Sequence, residues 1–224
     1  MAQQMLAPVR SKDRLAHGEK RIPMSYDEYL DWCEEELNSG EWVDGEVIVF
    51  EMQGLLHQDM VLWLGALLRT FALRRSLGRV VMAEYEMKLD QVRSSRKPDI
   101  LFLATEHLDR LTEPRLIGPA DLAVEVISPS SGRRDRKQKL DEYSTAGIPA
   151  YWVIDPRPLR RSVTVYRLDD EQVYQAAPLR HDGTLDSAVL PDLRLPAAWL
   201  FDDPLPDLLH ALKTLLAVAT PTDS

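Results

Sequence analysis

An apolar run in the middle of the chain, Leu122 to Ile127, is interrupted by one charged residue, Glu125. The apolar residues of this run fall on both faces of an extended strand, which is typical of a strand that is buried on both sides. An ionised carboxylate there costs several kcal/mol unless it is paired or binds a metal. A buried salt bridge and a catalytic or metal-binding role both satisfy this condition, and we favour the second.

The rest of the pattern predicts helices and strands in alternation around this strand. A capping box at Ser25 and an Asp44-Gly45 turn indicate a helix followed by a hairpin. Helices are predicted at 25–37, 57–76, 133–146 and 206–218. A hairpin is predicted at 41–52 and the main strands at 79–90, 99–103, 121–127 and 150–155, before a further hairpin. This order predicts an α/β or α+β fold with a central mixed sheet flanked by helices.

The length of 224 residues suits one domain with short extensions. We expect a flexible arm at 1–22, the domain at 23–204, and a C-terminal helix and tail at 205–224. No apolar run approaches the roughly 20 residues of a membrane span, and the N-terminus has no signal-peptide pattern. The single cysteine, Cys33, fits a reducing compartment, so a cytoplasmic protein is expected.

The charge is unevenly distributed along the chain. A net charge of −9 argues against a general nucleic-acid coat. A basic segment nevertheless follows the buried strand, and Arg157, Arg160 and Arg161 come later, so a locally positive groove can lie beside the carboxylates. The candidates for contacts with phosphates in the basic segment are Arg133, Arg134, Arg136 and Lys137.

A second carboxylate supports a metal site near Glu125. The dipeptide Pro98-Asp99 opens the short strand that precedes the Glu125 strand. Adjacent strands lie roughly 4.8 Å apart, so the two carboxylates can share one hard cation. Oxygen ligands of this kind favour Mg²⁺ or Mn²⁺, with water and phosphate oxygens completing the octahedron.

The helix after Glu125 provides a candidate cation. Asp135, Lys139 and Tyr143 are spaced by four residues and share one helix face. From there Lys139 could reach the carboxylates, orient a water molecule and stabilise charge on a phosphoryl oxygen. A solvated Asp135–Lys139 pair is the alternative.

Two further residues are ambiguous when they are considered alone. Glu46, after the turn, is typical of the exposed face of a hairpin, and His57 is typical of a helix start. The histidines and the cysteine have no zinc-ligand spacing, and GxSxG, P-loop and GxGxxG motifs are absent from the sequence.

Together these motifs resemble the Uma-two family of restriction endonuclease-like proteins, in the PD-(D/E)XK nuclease superfamily. The likeness rests on EWVDGE, the downstream histidine, KPDILFL and the long segment DLAVEVISPSSGRRDRKQKLDEYSTAGIPAYWVIDP, and it runs from about residue 25 to 200. The resemblance implies a restriction endonuclease-like core, with Asp99, Glu125 and Glu46 as metal ligands.

The resemblance also assigns the remaining roles. Ile127 stands where the superfamily signature has a lysine, and Lys139 on the following helix matches the lysine that replaces it in this family. His57, Asp135 and Tyr143 match positions with supporting roles. Ala150 departs from the glutamate expected before Tyr-Trp, which affects a supporting contact and not the site itself.

The implied activity is hydrolysis of nucleic-acid phosphodiesters, with DNA favoured, by a water molecule activated by Mg²⁺ or Mn²⁺. A homodimer is compatible with cutting two strands. Three alternatives stay open at this point. They are a nucleic-acid-binding or regulatory relative that has lost cleavage, an interaction protein in which Glu125 is salt-bridged, and a hydrolase of other phosphoesters.

Overall fold

The structure is a computed structural model that describes residues 20–35, 39–49, 54–128 and 134–217. Its strands and helices follow the predicted alternation closely. The strands are β1 (Lys20–Pro23), β2 (Gly40–Val43), β3 (Glu46–Val49), β4 (Gly78–Met82), β5 (Glu86–Leu89), β6 (Ser94–Arg96), β7 (Ile100–Ala104), β8 (Arg115–Ile117), β9 (Leu122–Val126), β10 (Ala150–Asp155), β11 (Ser162–Leu168), β12 (Tyr174–Ala177), β13 (Thr184–Asp186) and β14 (Arg194–Pro196). The helices are α1 (Tyr26–Glu35), α2 (Leu55–Arg74), α3 (Lys139–Thr145) and α4 (Leu208–Ala217). Short 3-10 helices lie at Asp90–Val92, Thr105–Arg110 and Ala197–Phe201, and a π-helical turn, Arg134–Gln138, leads into α3.

The first sheet is built around the predicted hairpin. Its strand order is β1-β3-β2-β6-β5-β8, antiparallel except for the parallel pair β5–β8. Asp44 and Gly45 connect β2 to β3 with φ of 49° and 89°. These positive values are what a two-residue hairpin turn requires, and they explain the Asp-Gly dipeptide.

The second sheet contains the buried Glu125 strand. Its order is β12-β11-β10-β9-β7-β4, with β9 and β10 parallel and the other pairs antiparallel. Every residue of β9 and β10 is buried, as the apolar run predicted. The parallel pair is connected through α3, as parallel neighbours require a crossover.

Layers of side chains cover both faces of the second sheet. On one face α2 and α4 pack in an apolar core with the 3-10 helix Ala197–Phe201. Gly65 lets α2 approach β4 closely, because a Cβ there would lie 2.1 Å from the sulfur of Met82. On the other face α3 packs in a second core that also includes residues of β5 and β8. The charged site lies on this α3 face.

The predicted fold class, α/β with mixed sheets and flanking helices, is confirmed, with three differences in detail. The structure has two six-stranded mixed sheets where one central sheet was expected. Residues 79–90 were predicted as one strand, whereas they form β4 and β5, which belong to different sheets. Residues 20–22, which were assigned to the arm, belong to β1, and β1 pairs with β3.

Candidate functional site

Asp99 and Glu125 are neighbours because β7 and β9 are antiparallel. Ile100 pairs with Val124, so Asp99, one residue before β7, lies next to Glu125. The Oδ2 atom of Asp99 accepts a hydrogen bond of 2.7 Å from the backbone N–H of Val126. The side chains of Asp99 and Glu125 are 15% and 5% exposed. The two acids that the sequence suggested as a pair therefore lie side by side at the edge of the interior.

Lys139, the first residue of α3, contacts Glu125 directly. Its Nζ lies 2.7 Å from Oε1 of Glu125 and 2.9 Å from Oε1 of Glu41, and its side chain is 2% exposed. An ammonium group this deeply buried requires charged partners, and the two carboxylates provide them. The structure thus brings Lys139 to Glu125, in agreement with the predicted helix face.

Tyr143 lies one helical turn beyond Lys139 and reaches the same carboxylate. Its hydroxyl donates a hydrogen bond of 3.0 Å to Oε1 of Glu125. Burial, followed by the negative charges of Glu125 and Glu41, raises the pKa of Tyr143 well above its ordinary value. The phenol therefore stays protonated and acts as a donor, so it helps to fix the orientation of Glu125.

Glu41 and Arg96 extend the site into the first sheet. Arg96, on β6, is fully buried and donates to Oε2 of Glu41 at 2.9 Å. It also makes a two-pronged contact with Glu142 of α3, with an Nε–Oε2 distance of 2.7 Å. Burial lowers the pKa of Arg96, but the charge of Glu41 and the bonds to Glu142 outweigh it and raise the pKa overall. Arg96 is therefore a fixed cation that connects the first sheet to α3.

Glu41, Arg96 and Glu142 were not predicted to belong to the site. One signal was available for Glu41, because it shares a hairpin face with Val43 and Ile48, which are both buried. A carboxylate on an apolar face is unusual for the same reason as at Glu125. Arg96 lies in the polar sequence Ser-Ser-Arg, which resembles a turn and gives no such signal.

The prediction that Glu46 belongs to the site disagrees with its position in the structure. Its carboxylate bonds to the Nη1 atom of Arg21 at 3.2 Å, and its side chain is 42% exposed. Glu46 is the first residue of β3 and adjoins the Asp44-Gly45 turn, so it lies at the solvent end of the hairpin. Within the EWVDGE motif it is Glu41, not Glu46, that contacts Lys139.

His57 contacts Asp99 from α2, whereas Lys139 and Tyr143 contact Glu125 from α3. It lies in the first turn of α2, and its Nε2 is 3.2 Å from Oδ2 of Asp99. The His57 side chain is 7% exposed, and its Nδ1 is buried without a hydrogen-bond partner among the described residues. His57 can therefore orient Asp99, which agrees with the supporting position that the resemblance implied.

The predicted basic segment is described only in part. Arg133 lies outside the described residues, as do the side chains of Arg134 and Asp135. Arg136 donates to Oδ2 of Asp155 at 3.0 Å and to the hydroxyl of Ser162 at 3.3 Å. Lys137 is exposed. Arg136 is thus anchored beside the site, where it can also face a ligand because its side chain is 41% exposed.

The carboxylates fit a magnesium or manganese ion by their chemistry. Mg²⁺ is usually held by one or two protein carboxylates and completes its octahedron with water and phosphate oxygens. Asp99 and Glu125 provide two such carboxylates on adjacent strands. In the described part of the chain, no group of three or more His, Cys, Asp or Glu residues is arranged to hold a metal. The geometry is therefore compatible with an open site in which two carboxylates bind the ion. It is not compatible with a site in which the described residues alone fill the coordination shell.

Comparisons with known proteins agree with this architecture. A family model described as "Uma2: Putative restriction endonuclease" matches residues 26–198. A crystal structure of "a putative nuclease belonging to DUF820 from Anabaena variabilis ATCC 29413" matches with a TM-score of 0.64 and 20% identity, over 80% of this chain and 98% of that one. No curated protein matches the chain. No helix within the described residues has both the length and the apolar character needed to cross a membrane. Because the family model matches more than half of this chain, the chain belongs to the Uma2 family.

Proposed function

We propose that the chain is a metal-dependent endonuclease that hydrolyses phosphodiester bonds of nucleic acid, with DNA favoured as the substrate. The observation that carries the proposal is the convergence of Asp99, Glu125 and Lys139. Two neighbouring carboxylates provide oxygen ligands, and the Lys139 ammonium lies 2.7 Å from one of them. This combination of hard oxygen ligands with a buried cation suits a substrate that carries negative charge on a phosphoryl oxygen.

Asp99 and Glu125 are the residues proposed to hold Mg²⁺ or Mn²⁺. When bound, the ion would polarise the phosphoryl oxygen and make a bound water molecule more acidic. The backbone N–H of Val126 and the His57 imidazole fix the Oδ2 atom of Asp99. Lys139 and Tyr143 fix Oε1 of Glu125 in the same way. Both carboxylates are thus oriented before any ligand arrives, which reduces the reorganisation needed for catalysis.

Lys139 has a second role in the proposal. Its ammonium group is shared between Glu125 and Glu41. When it turns toward a phosphate oxygen, Tyr143 still donates to Glu125 and Arg96 still donates to Glu41. There it would stabilise the charge that develops on the phosphoryl group. Glu41 is proposed as the residue that keeps Lys139 in position, and Arg96 keeps Glu41 in position.

The proposal assigns the supporting residues according to their contacts. His57 and Tyr143 are positioning residues, and Arg136 and Lys137 are proposed to face the substrate backbone together with Arg133 and Arg134. Asp135 keeps the supporting role that the family resemblance implies. A homodimer would place one site at each strand of a duplex, so a homodimer on DNA is part of the proposal, and sedimentation with and without duplex tests it.

The test is a cleavage assay with purified protein and either Mg²⁺ or Mn²⁺. Substrates are double-stranded and single-stranded DNA and single-stranded RNA, and the variants are Asp99→Asn, Glu125→Gln and Lys139→Met. We expect cleavage by the native chain and a loss of about 100-fold or more in each variant, as for the removal of other transition-state contacts. Asp109→Asn, an exposed carboxylate on a 3-10 helix, is the matched control and should retain full activity. Intact substrates with the native chain would refute the proposal.

One observation favours a second candidate, a nucleic-acid-binding relative without cleavage. Lys139 and Arg96 alternate with carboxylates in the chain Glu125–Lys139–Glu41–Arg96, so Glu125 has a cation beside it without a metal. Titration with Mn²⁺ separates the two candidates. Saturable binding that Asp99→Asn abolishes supports the enzyme, and the absence of binding supports the second candidate.

A further inference from the structure

We propose that the β10–β11 connection, residues 156–161, is an element that binds the nucleic-acid backbone and inserts Leu159 between bases. We call these residues, Pro-Arg-Pro-Leu-Arg-Arg, the arginine loop. The inference rests on the proposed function, because it takes nucleic acid as the ligand. It adds a binding element that the acidic site does not contain.

The composition and exposure of the arginine loop point to a polyanion. Its three arginines are accompanied by no acidic residue. Arg160 and Arg161 are exposed, and the Leu159 side chain between them and Pro158 is 99% exposed. A single exposed leucine is ordinary on a protein surface. A leucine with almost no contact to its own chain, placed among arginines, is the arrangement that minor-groove-binding proteins use as a wedge between base steps.

The arginine loop is anchored at its base and does not depend on the ligand for its shape. Asp155, fully buried at the end of β10, accepts hydrogen bonds from Nε and Nη2 of Arg157 at 2.8 and 2.7 Å. Arg136 binds the same carboxylate from the α3 side. The backbone N–H of Arg160 donates to the carbonyl of Arg157 at 2.8 Å, and two prolines restrict the backbone further. A preorganised loop loses little conformational entropy on binding.

The arginine loop also lies at the same edge of the sheet as the acidic pair. β10 runs parallel to β9, and Val153 pairs with Glu125, so the loop begins a few residues beyond the position of Glu125. That is on the order of 10 Å along the strand. Arg136 precedes Lys139 by three residues and bridges the loop to α3. A nucleic-acid strand that contacts the arginine loop therefore passes within a few nucleotides of Asp99 and Glu125.

Charge on the two sides of the loop restricts the path of the ligand. On the α3 side lie Arg136 and Lys137, with Arg157 turned toward Asp155. On the α2 side a groove that Arg161 helps to line is bordered by three carboxylates, those of Asp59, Asp202 and Asp203. Phosphates are attracted to the first side and repelled by the second. The arginine loop thus directs the backbone toward the α3 face, where the site lies.

The experiment measures binding without cleavage, with fluorescein-labelled duplex DNA and a single strand of the same sequence in the presence of EDTA. Affinity is determined by fluorescence anisotropy over a series of salt concentrations. In Arg160→Ala/Arg161→Ala we expect about tenfold weaker binding and a salt slope reduced by about 1.8 on duplex, since each lost phosphate contact contributes about 0.9. In Leu159→Ser we expect weaker binding with an unchanged slope, because the leucine carries no charge.

The matched control is Leu73→Ser/Arg74→Ala at the other end of α2. Both residues are exposed, as in the loop, but they lie at the last turn of a 20-residue helix that begins at the site, about 30 Å away. The control should bind like the native chain. If the loop variants bind like the control while the native chain binds DNA, the inference fails and the proposed function stands. If the native chain binds neither DNA, the proposed function fails with it. If Leu159→Ser affects only binding to anionic lipid vesicles, the loop is a membrane element and the inference is overturned.

Discussion

The two faces of the second sheet are built from the same strands but contain different chemistry. Toward α2 and α4, strands β9 and β10 present only apolar side chains, which are Leu122, Val124, Val126, Ala150, Trp152 and Ile154. Toward α3, the intervening positions of the same strands include Glu125 and Asp155, and α3 adds Lys139. One face is thus entirely apolar, and the other combines a second apolar core with several buried charges.

The difference separates what holds the domain together from what it can do. The apolar face stabilises the fold by removing side chains from water, at roughly 25 cal/mol per Å² of apolar surface. Burying an ion pair usually contributes less than an apolar pair of the same size would. The charges on the α3 face are therefore not needed for stability as such. Their presence is better explained by a chemical role, and variants on the two faces can test this distinction.

The largest effect on stability is expected from Arg96→Met. This arginine is fully buried and pairs with Glu41 and Glu142, so the substitution leaves Glu142 without its arginine and leaves Glu41 with Lys139 as its remaining cation. We expect the free energy of unfolding to fall by about 5 kcal/mol, the upper end of the cost of breaking a buried pair. Urea unfolding followed by circular dichroism measures it. Arg93→Met, three residues earlier and 71% exposed, is the control and should change stability by less than about 1 kcal/mol. Equal effects in the two variants would mean that removing the buried partner of Glu41 and Glu142 leaves no costly uncompensated charge.

The next effect distinguishes a structural from a catalytic role for Lys139. Lys139→Met leaves Glu125 without its ammonium partner and should cost about 4 kcal/mol. In Glu125→Gln/Lys139→Met both charges are removed, and Glu41 keeps Arg96 as its partner, so most of this stability should return. Cleavage should be absent in both variants. A double variant that regains stability and also cleaves DNA would show that the pair is purely structural.

On the apolar face, Leu64→Ala should cost about 3 kcal/mol without affecting the chemistry. Leu64 is fully buried in the core between α2 and the sheet, and its truncation creates a cavity. We expect the midpoint of urea unfolding to fall, while cleavage per folded molecule stays unchanged. Leu62→Ala, two residues away and 64% exposed, is the matched control for unfolding. A loss of cleavage of more than about tenfold at full folding would show that the two faces are not independent.

The sequence predicted the elements whose stability is local or depends on apolar burial. The Asp44-Gly45 turn, α2 and β9 can be recognised from their own residues, without knowledge of their contacts with other elements. Two features were not predictable for physical reasons. β6 consists of Ser94, Ser95 and Arg96, and the side chains of Ser95 and Arg96 are paired by Glu86 and Glu41 on other strands, which no local sequence pattern reveals. The division of residues 79–90 between two sheets has no signal in the sequence, since Arg79–Met82 and Glu86–Leu89 are both compatible with a strand.

The candidate site was predicted where one residue type conflicted with its surroundings. Glu125 was singled out because a carboxylate lay in an apolar strand, and Asp99 because it headed the preceding strand. Glu46 was taken from the EWVDGE motif by resemblance, whereas the structure brings Glu41 to Lys139. The hairpin contains both glutamates, and only the packing of the first sheet against α3 determines which one is buried.

The smallest effect is expected for the second carboxylate of the α3 face, Asp155, and it depends on pH. Burial by itself raises the pKa of Asp155, but hydrogen bonds from Arg157 and Arg136 outweigh it and lower the pKa overall. Because the folded chain holds the proton less tightly than the unfolded chain, the stabilisation is fully present above the ordinary carboxyl range. It is lost as the pH falls through the folded-state pKa.

Asp155→Asn should therefore cost about 2 kcal/mol at neutral pH, and the difference from the native chain should shrink below about pH 4. Urea unfolding from neutral pH to about pH 3 measures this difference. Asp109→Asn, an exposed position, should follow the native chain throughout. A difference that stays constant down to the lowest pH would mean that the charge of Asp155 does not stabilise the fold. The difference between the two faces would then rest only on Glu125 and the residues that it contacts through Lys139.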